Sequence, residues 1–331
     1  MFATQNSHFF GNTLDKFKQL HSKRFEHLMD FGKLKDISDV DFTLPPDNPL
    51  TAQTLAAASS KTSQPDLYFG PPIWANKSWA GKIYPSNAKD KDFLHYYTRQ
   101  FNTIELNVTH YQIPTEETII RWKESAADGF KFCPKFPQVI SHDRQLIGCE
   151  FLTEQFCTAV LGLEEHLGMT FLQLSPMFDP RRLKSLENYL KSLPPNFPVS
   201  VEFRHSDWFK DAKVWANTCA MLTEMKVGTV ISDVSGRRDV LHATLTTPNL
   251  TLRFVGNELH PTDYTRINAW CERIKTWLDM GLESTYIFVH CGDNEFAPEL
   301  TKYWINKINA KTGLNLQEPK IIPQVVQGSL F

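Results

Sequence analysis

Eight short runs of β-branched and aromatic residues, most of them separated by one helix-length interval, limit more than any other feature what this chain can fold into. They span 67–72, 102–108, 131–136, 169–175, 199–204, 228–233, 250–256 and 284–290. Helical patterns fill 115–125, 150–166, 181–192, 212–225, 263–280 and 297–310, and Asp179-Pro180 supplies an N-cap followed by proline at a first helical position. Eight strands alternating with helices over about 250 residues predict a single (β/α)₈ TIM-type barrel. The interval 234–249 is short and lacks an apolar period, which keeps an open doubly wound sheet as the alternative.

The first 66 residues differ from this rhythm. Leu14, Phe17, Phe25 and Leu28 recur at near-helical spacing and predict one amphipathic helix. The stretch 41–65 that follows is rich in Pro, Ser, Thr and Ala and reads as an exposed loop or linker. The expected organisation is an N-terminal helical and loop extension at 1–66, the barrel at 67–311 and a C-terminal tail at 312–331.

Strand alternation then assigns faces, because successive side chains point to opposite sides. Ile104, Leu106 and Val108 oppose Glu105 and Asn107, while Val201 and Phe203 oppose Glu202 and Arg204. Phe132 and Phe136 oppose Lys135, and the same split sets apart Gln173, Asp233 and Arg253. Helices cover the outside of a barrel, so the apolar faces pack outward and the polar faces enter a lumen that branched aliphatics ordinarily fill. Three acids, Glu105, Glu202 and Asp233, would balance Lys135, Arg204 and Arg253, with Glu105 beside Lys135 and Asp233 beside Arg253. Burying such groups unpaired costs several kcal/mol, so they must pair or bind something.

Several ordered motifs carry a resemblance. Trp79-x-Gly81-x-x-Tyr84-Pro85, then FNTIELNVTHYQIPTEETIIRW, FKFCPKFP, FLQLSPMF and VEFRHSDWF, resemble domain-of-unknown-function family 72, the YecE-like proteins, from about residue 67 to 310. The resemblance implies a (β/α)₈ barrel of unassigned activity, loosely likened to sugar-phosphate isomerases and endonuclease-type barrels. Two loops depart from the family pattern. Gly70-Pro71-Pro72-Ile73-Trp74 replaces a Gly-Thr-Ser-Gly-Trp type loop, and His290-Cys291-Gly292-Asp293-Asn294 replaces an Asn-rich one.

The expected chemistry is acid/base catalysis on a small phosphorylated or carbohydrate-like substrate. Glu202 and Glu105 are candidate acid and base, with Lys135 and Asp233 as further catalytic candidates. Lys135 would act either as an ion-pair or phosphate partner or as a Schiff-base amine. Arg204 and Arg253 present planar forks to an anion. Asn107, Gln173 and His205 are further substrate contacts, and Trp74, Tyr111 and Trp208 could form a stacking wall. Glu105, Glu202, His205, Asp233 and His290 could ligate a metal, yet no compact ligand spacing joins them, so neither metal nor cofactor is expected.

Bulk properties narrow the setting. A net charge of −2 gives no overall pull toward nucleic acid. Six scattered cysteines without a C-x-x-C pair, a start with no secretory pattern and no long apolar run predict a cytoplasmic protein with no membrane segment. Gln327, Leu330 and Phe331 resemble a bacterial sliding-clamp docking pentapeptide, with Gly328 where Leu is usual. Two alternatives follow, a nuclease-like DNA-maintenance factor recruited through that tail and a non-catalytic ligand-binding barrel.

Overall fold

The structure, a computed structural model, describes residues 32–58 and 64–323. It is a parallel α/β fold. The strands are β1 (Asp66–Gly70), β2 (Thr103–Leu106), β3 (Lys131–Pro134), β4 (Thr170–Gln173), β5 (Val199–Glu202), β6 (Gly228–Asp233), β7 (Asn249–Gly256) and β8 (Ser284–Cys291). Six of them form a sheet in the order β1-β8-β7-β6-β5-β4, and β2 pairs with β3. Every ladder is parallel.

Isolated parallel bridges, Phe132 to Leu167 and Lys135 to Phe171, join the β3 segment to β4. Between β1 and β2 a side chain replaces the backbone ladder. Asn102 Oδ1 accepts from the Phe69 amide at 2.7 Å, and its Nδ2 donates to the Leu67 carbonyl at 2.9 Å.

The helices are α1 (Pro49–Ala58), α2 (Phe93–Tyr97), α3 (Val108–Tyr111), α4 (Glu116–Ser125), α5 (Glu150–Leu161), α6 (Leu183–Lys191), α7 (Asp207–Lys210), α8 (Ala212–Glu224), α9 (Pro261–Met280) and α10 (Ala297–Thr312). Their ends follow local chemistry. Asp211 Oδ1 accepts from the Lys213 amide at 2.8 Å to open α8, and Pro261 begins α9 where its missing N–H is not needed. Gly281 closes α9 with φ +114°, a left-handed turn that a side chain would resist. Inward stripes such as Ile119 and Trp122, or Trp270, Ile274 and Trp277, cover the outer faces of the strands. Each large buried side chain contributes about 1.5–3 kcal/mol through removal from water.

The inner face is layered. Tyr68, Cys133, Met169, Tyr286 and Phe288 form a packed floor, with the Tyr68 and Tyr286 rings stacked at 4.8 Å. Glu105, Gln173, Glu202, Ser232 and Arg253 stand above it at the carboxyl-terminal side of their strands.

Residues 41–58 are not simply an exposed linker. Asn48 Oδ1 caps the Leu50 amide at 2.9 Å, Pro49 starts α1, and Thr51, Thr54 and Leu55 are buried. Asn-Pro followed by an Ala-rich run is a helix start that the surrounding Pro and Ser content concealed. Thr51 Oγ1 donates to the Ala243 carbonyl at 3.1 Å and accepts from the Leu245 amide at 3.0 Å. Arg273 reaches back to Asp47 at 3.1 Å and Trp277 Nε1 to the same carboxylate at 2.9 Å. The 234–249 interval holds only a 3₁₀ turn at Arg238–Val240, so α1 covers the flank that a β6–β7 helix would otherwise take. The helix expected over Leu14–Leu28 and the docking residues Gln327, Leu330 and Phe331 lie outside the described residues. No helix among the described residues is long and apolar enough to cross a membrane.

Candidate functional site

Arg253 is the hub of the inner face. From β7 its Nε and Nη2 donate to the two oxygens of Glu105 on β2 at 3.1 and 3.0 Å. Its Nη1 lies 3.2 Å from both oxygens of Glu202 on β5. Glu105 also takes the Asn107 amide at 2.9 Å and contacts His290 Nε2 at 2.7 Å. Glu202 accepts from Gln173 Nε2 at 2.8 Å and from Ser232 Oγ at 3.0 Å. Arg204 Nη1 completes the chain by donating to Gln173 Oε1 at 3.1 Å.

These contacts fix the charge states. Burial pushes the Glu105 carboxyl up, but Arg253 and His290 outweigh it and hold the group well below the usual carboxylate range. Glu202 follows the same pattern, with burial opposed by Arg253, Arg204, the Gln173 hydrogen bond and Lys135. Burial lowers Arg204 to about 9, with Arg253 and Arg237 adding to it against the pull of Glu202, so it remains a cation at neutral pH. Arg253 goes the other way, its two carboxylates overcoming burial and raising it.

Lys135 sits just past β3 and is 7% exposed. Its ammonium lies 5.8 Å from the centre of the Phe171 ring, which also carries Arg253 at 5.9 Å. Burial and Arg253 drive its pKa down, Glu105 and Glu202 pull it back only in part, and the result is about 7. The expected direct Glu105–Lys135 pair is replaced by Arg253, whose longer planar fork spans both acids.

Sequence reasoning did not single out the two histidines beside this lysine. His110 on α3 and His142 on a π-helical turn (Val139–Asp143) have ring centres 5.2 Å apart. His110 Nδ1 contacts the Phe136 carbonyl at 2.8 Å, and Ser141 Oγ lies 2.8 Å from His142 Nδ1. Burial, then the charges of Lys135 and Arg204, lower His110 to about 3 and His142 to about 4, so both are neutral near pH 7. A π-turn directly after a strand is the available local signal, since such turns collect at functional sites.

Four expected site residues stand elsewhere. Asp233 lies on the opposite face of β6, because Ser232 and not Asp233 is in register with Arg253. Its carboxylate is paired with Arg266 at 2.8 Å and with Arg238, and accepts from Trp270 Nε1 at 2.7 Å. Those two arginines flank the Phe42 ring at 5.4 and 4.9 Å, so this outer cluster anchors the N-terminal segment and leaves Arg253 to other partners.

Trp208 is fully buried, donates to the Phe178 carbonyl at 2.8 Å and packs edge-on against Phe203 at 4.9 Å, so it is a core residue and no stacking wall. His205 Nδ1 accepts from the Asp207 amide at 3.2 Å at the start of α7. Trp74 packs edge-on against Trp122 at 6.3 Å. Tyr111, 63% exposed, stands at the rim beside His110. The sites of Glu105, Glu202, Lys135, Arg204, Arg253, Asn107 and Gln173 thus converge, with His290 joining through Glu105.

Known proteins resemble this chain in sequence and fold. The family model described as "Protein of unknown function DUF72" matches residues 68–323. The chain belongs to the DUF72 family. The DUF72 match takes in every converging residue above. UPF0759 protein YecE of Escherichia coli K12 is 31% identical over 283 residues, covering 80% of this chain and 100% of that protein. UPF0759 protein YunF of Bacillus subtilis strain 168 is 25% identical over 150 residues, covering 43% and 52%. A DUF72 family protein from Enterococcus faecalis V583 superposes with a TM-score of 0.59 at 18% identity, over 76% of this chain and 99% of that one. Another from Thermotoga maritima MSB8 gives 0.56 at 22% identity, over 74% and 98%. These structural likenesses concern the fold.

Proposed function

We propose that the two sheets are arcs of one closed (β/α)₈ barrel whose inner face is the active site of an enzyme acting on a small anionic substrate by acid/base chemistry. Support for closure comes from Asn102 stitching β1 to β2, the bridges from β3 to β4, and Arg253 of the larger sheet clasping Glu105 of the smaller. The polar layer then lies near the carboxyl ends of the strands, where barrel enzymes build their sites.

The carrying observation is the charge balance. With Asp233 turned outward, the two ionised carboxylates that face the site among the described residues balance Arg204 and Arg253, so each proton held by Lys135 adds an excess positive charge. A buried excess cation is costly in isolation and is relieved by an anion. Because Arg253 holds both acids in the ionised state, the group poised to move a proton near neutral pH is Lys135.

Calorimetric titration of the full chain with inorganic phosphate and with glycerol 3-phosphate tests this. Saturable binding is expected, weakened at least about tenfold by Arg204→Met, which removes a charge-assisted contact. Absence of binding to the native chain would overturn the anionic-substrate assignment.

A further inference from the structure

Lys135 is an inner-face cation with no carboxylate in direct contact among the described residues. Among the described residues its ammonium makes no hydrogen bond and no direct ion pair, while the nearby acids are taken up by Arg253, Asn107, His290, Gln173 and Ser232. Phe171 closes one side of it as an apolar plate. The other titratable groups that act on it or lie beside it are Arg204, Arg253, Glu105, Glu202, His110 and His142. A residue needed only to balance charge would be drawn into contact with Glu105 or Glu202. Lys135 is instead left with a free end, in surroundings that favour the neutral amine.

We propose that Lys135 is a covalent nucleophile that forms an imine with aldehydes or ketones carrying a carboxylate or phosphate group. The acidic group in that substrate class rests on the anion-binding assignment above; the imine does not. The lone pair of Nζ attacks the carbonyl carbon, a C–N bond forms, and the C=O π pair moves to oxygen, which takes a proton. Nitrogen then loses both of its protons, one balancing that taken by the oxygen and the other leaving with the hydroxyl as water, so the C=N bond remains and amine plus carbonyl gives imine plus water. The protonated imine is a cation, and the ionised Glu105 and Glu202 stabilise it where it forms. A general base needs only a neutral amine. An amine with an apolar wall on one side and no acceptor bound to it fits a nucleophile better.

Glyoxylate, a small aldehyde with a carboxylate, is the probe. The full chain is incubated with glyoxylate and cyanoborohydride at pH 7, and the carboxymethylated lysines are mapped by peptide mass spectrometry. Lys135 is expected to react at least about tenfold faster than the surface lysines, since only a neutral amine attacks a carbonyl. Inorganic phosphate is expected to slow that reaction selectively. Modification of surface lysines with Lys135 untouched overturns the imine, whether or not phosphate binds. Rapid modification of Lys135 that phosphate does not slow keeps the imine and overturns the acidic group in the substrate class.

Discussion

Arg253 grips Glu105 through two parallel hydrogen bonds, Nε to Oε2 at 3.1 Å and Nη2 to Oε1 at 3.0 Å. The fork-to-fork geometry joins the two-stranded sheet to the six-stranded one across the inner face. Arg253→Met would remove the guanidinium that bonds both buried carboxylates, their remaining hydrogen bonds among the described residues coming from Asn107, His290, Gln173 and Ser232. Removing one partner of a buried ion pair costs about 3–5 kcal/mol, so a marked fall in the urea midpoint is expected. An unchanged midpoint would show that water already supports these acids.

Lys135 gives a pH signature. It titrates at about 7 in the folded chain against an ordinary 10.5, so the unfolded chain binds the extra proton between those values. Stability contributed through this residue therefore rises as pH climbs from about 7 to 10.5. Lys135→Met should be more stable than the native chain at pH 7, by on the order of a few kcal/mol, with the difference closing toward pH 10.5. Denaturant titrations across that range measure it. A variant less stable at pH 7 would mean that the lysine is a structural cation.

Thr51 ties α1 to the strand-poor 234–249 interval by donating to Ala243 and accepting from Leu245. Thr51→Val keeps the shape and strands the Leu245 amide, while the Ala243 carbonyl keeps the Asn48 amide at 3.0 Å, at a cost of about 1–3 kcal/mol. A lower melting temperature and faster amide exchange at Leu245 are expected. Unaltered exchange there would show that α1 is held by its apolar contacts alone.

The terminal Gln327, Leu330 and Phe331 carry the sliding-clamp expectation. The intact chain should retain a purified bacterial clamp in a pull-down, and a chain lacking 327–331 should not. Equal retention by both, or by neither, would remove this partner.

The strand rhythm was legible because period-2 alternation survives wherever helices cover one face. Ile104, Leu106, Val201 and Phe203 all pack outward as their spacing predicted. Alternation also placed Glu105, Glu202 and Arg253 together, but it could not phase β6. Val230 and Ile231 are both buried there, so hydropathy did not say whether Ser232 or Asp233 faces inward.

Trp208 misled for a related reason. A large aromatic just beyond a strand has the same sequence signature whether it lines a site or, as here, donates into the core at Phe178. His110 and His142 went unread because their neighbourhood is made by β2 and β3 lying side by side, a relation that no local spacing encodes.

The docking of α1 sets an order of events during synthesis. Thr51 leaves the ribosome 192 residues before Ala243, so this early-made helix has no seat until most of the strands have been translated. The segment must wait, exposed and available to chaperones, and long-range closure of this kind is slow. The helix that shields the β6–β7 flank is thus among the first segments to be made and among the last that can take their place.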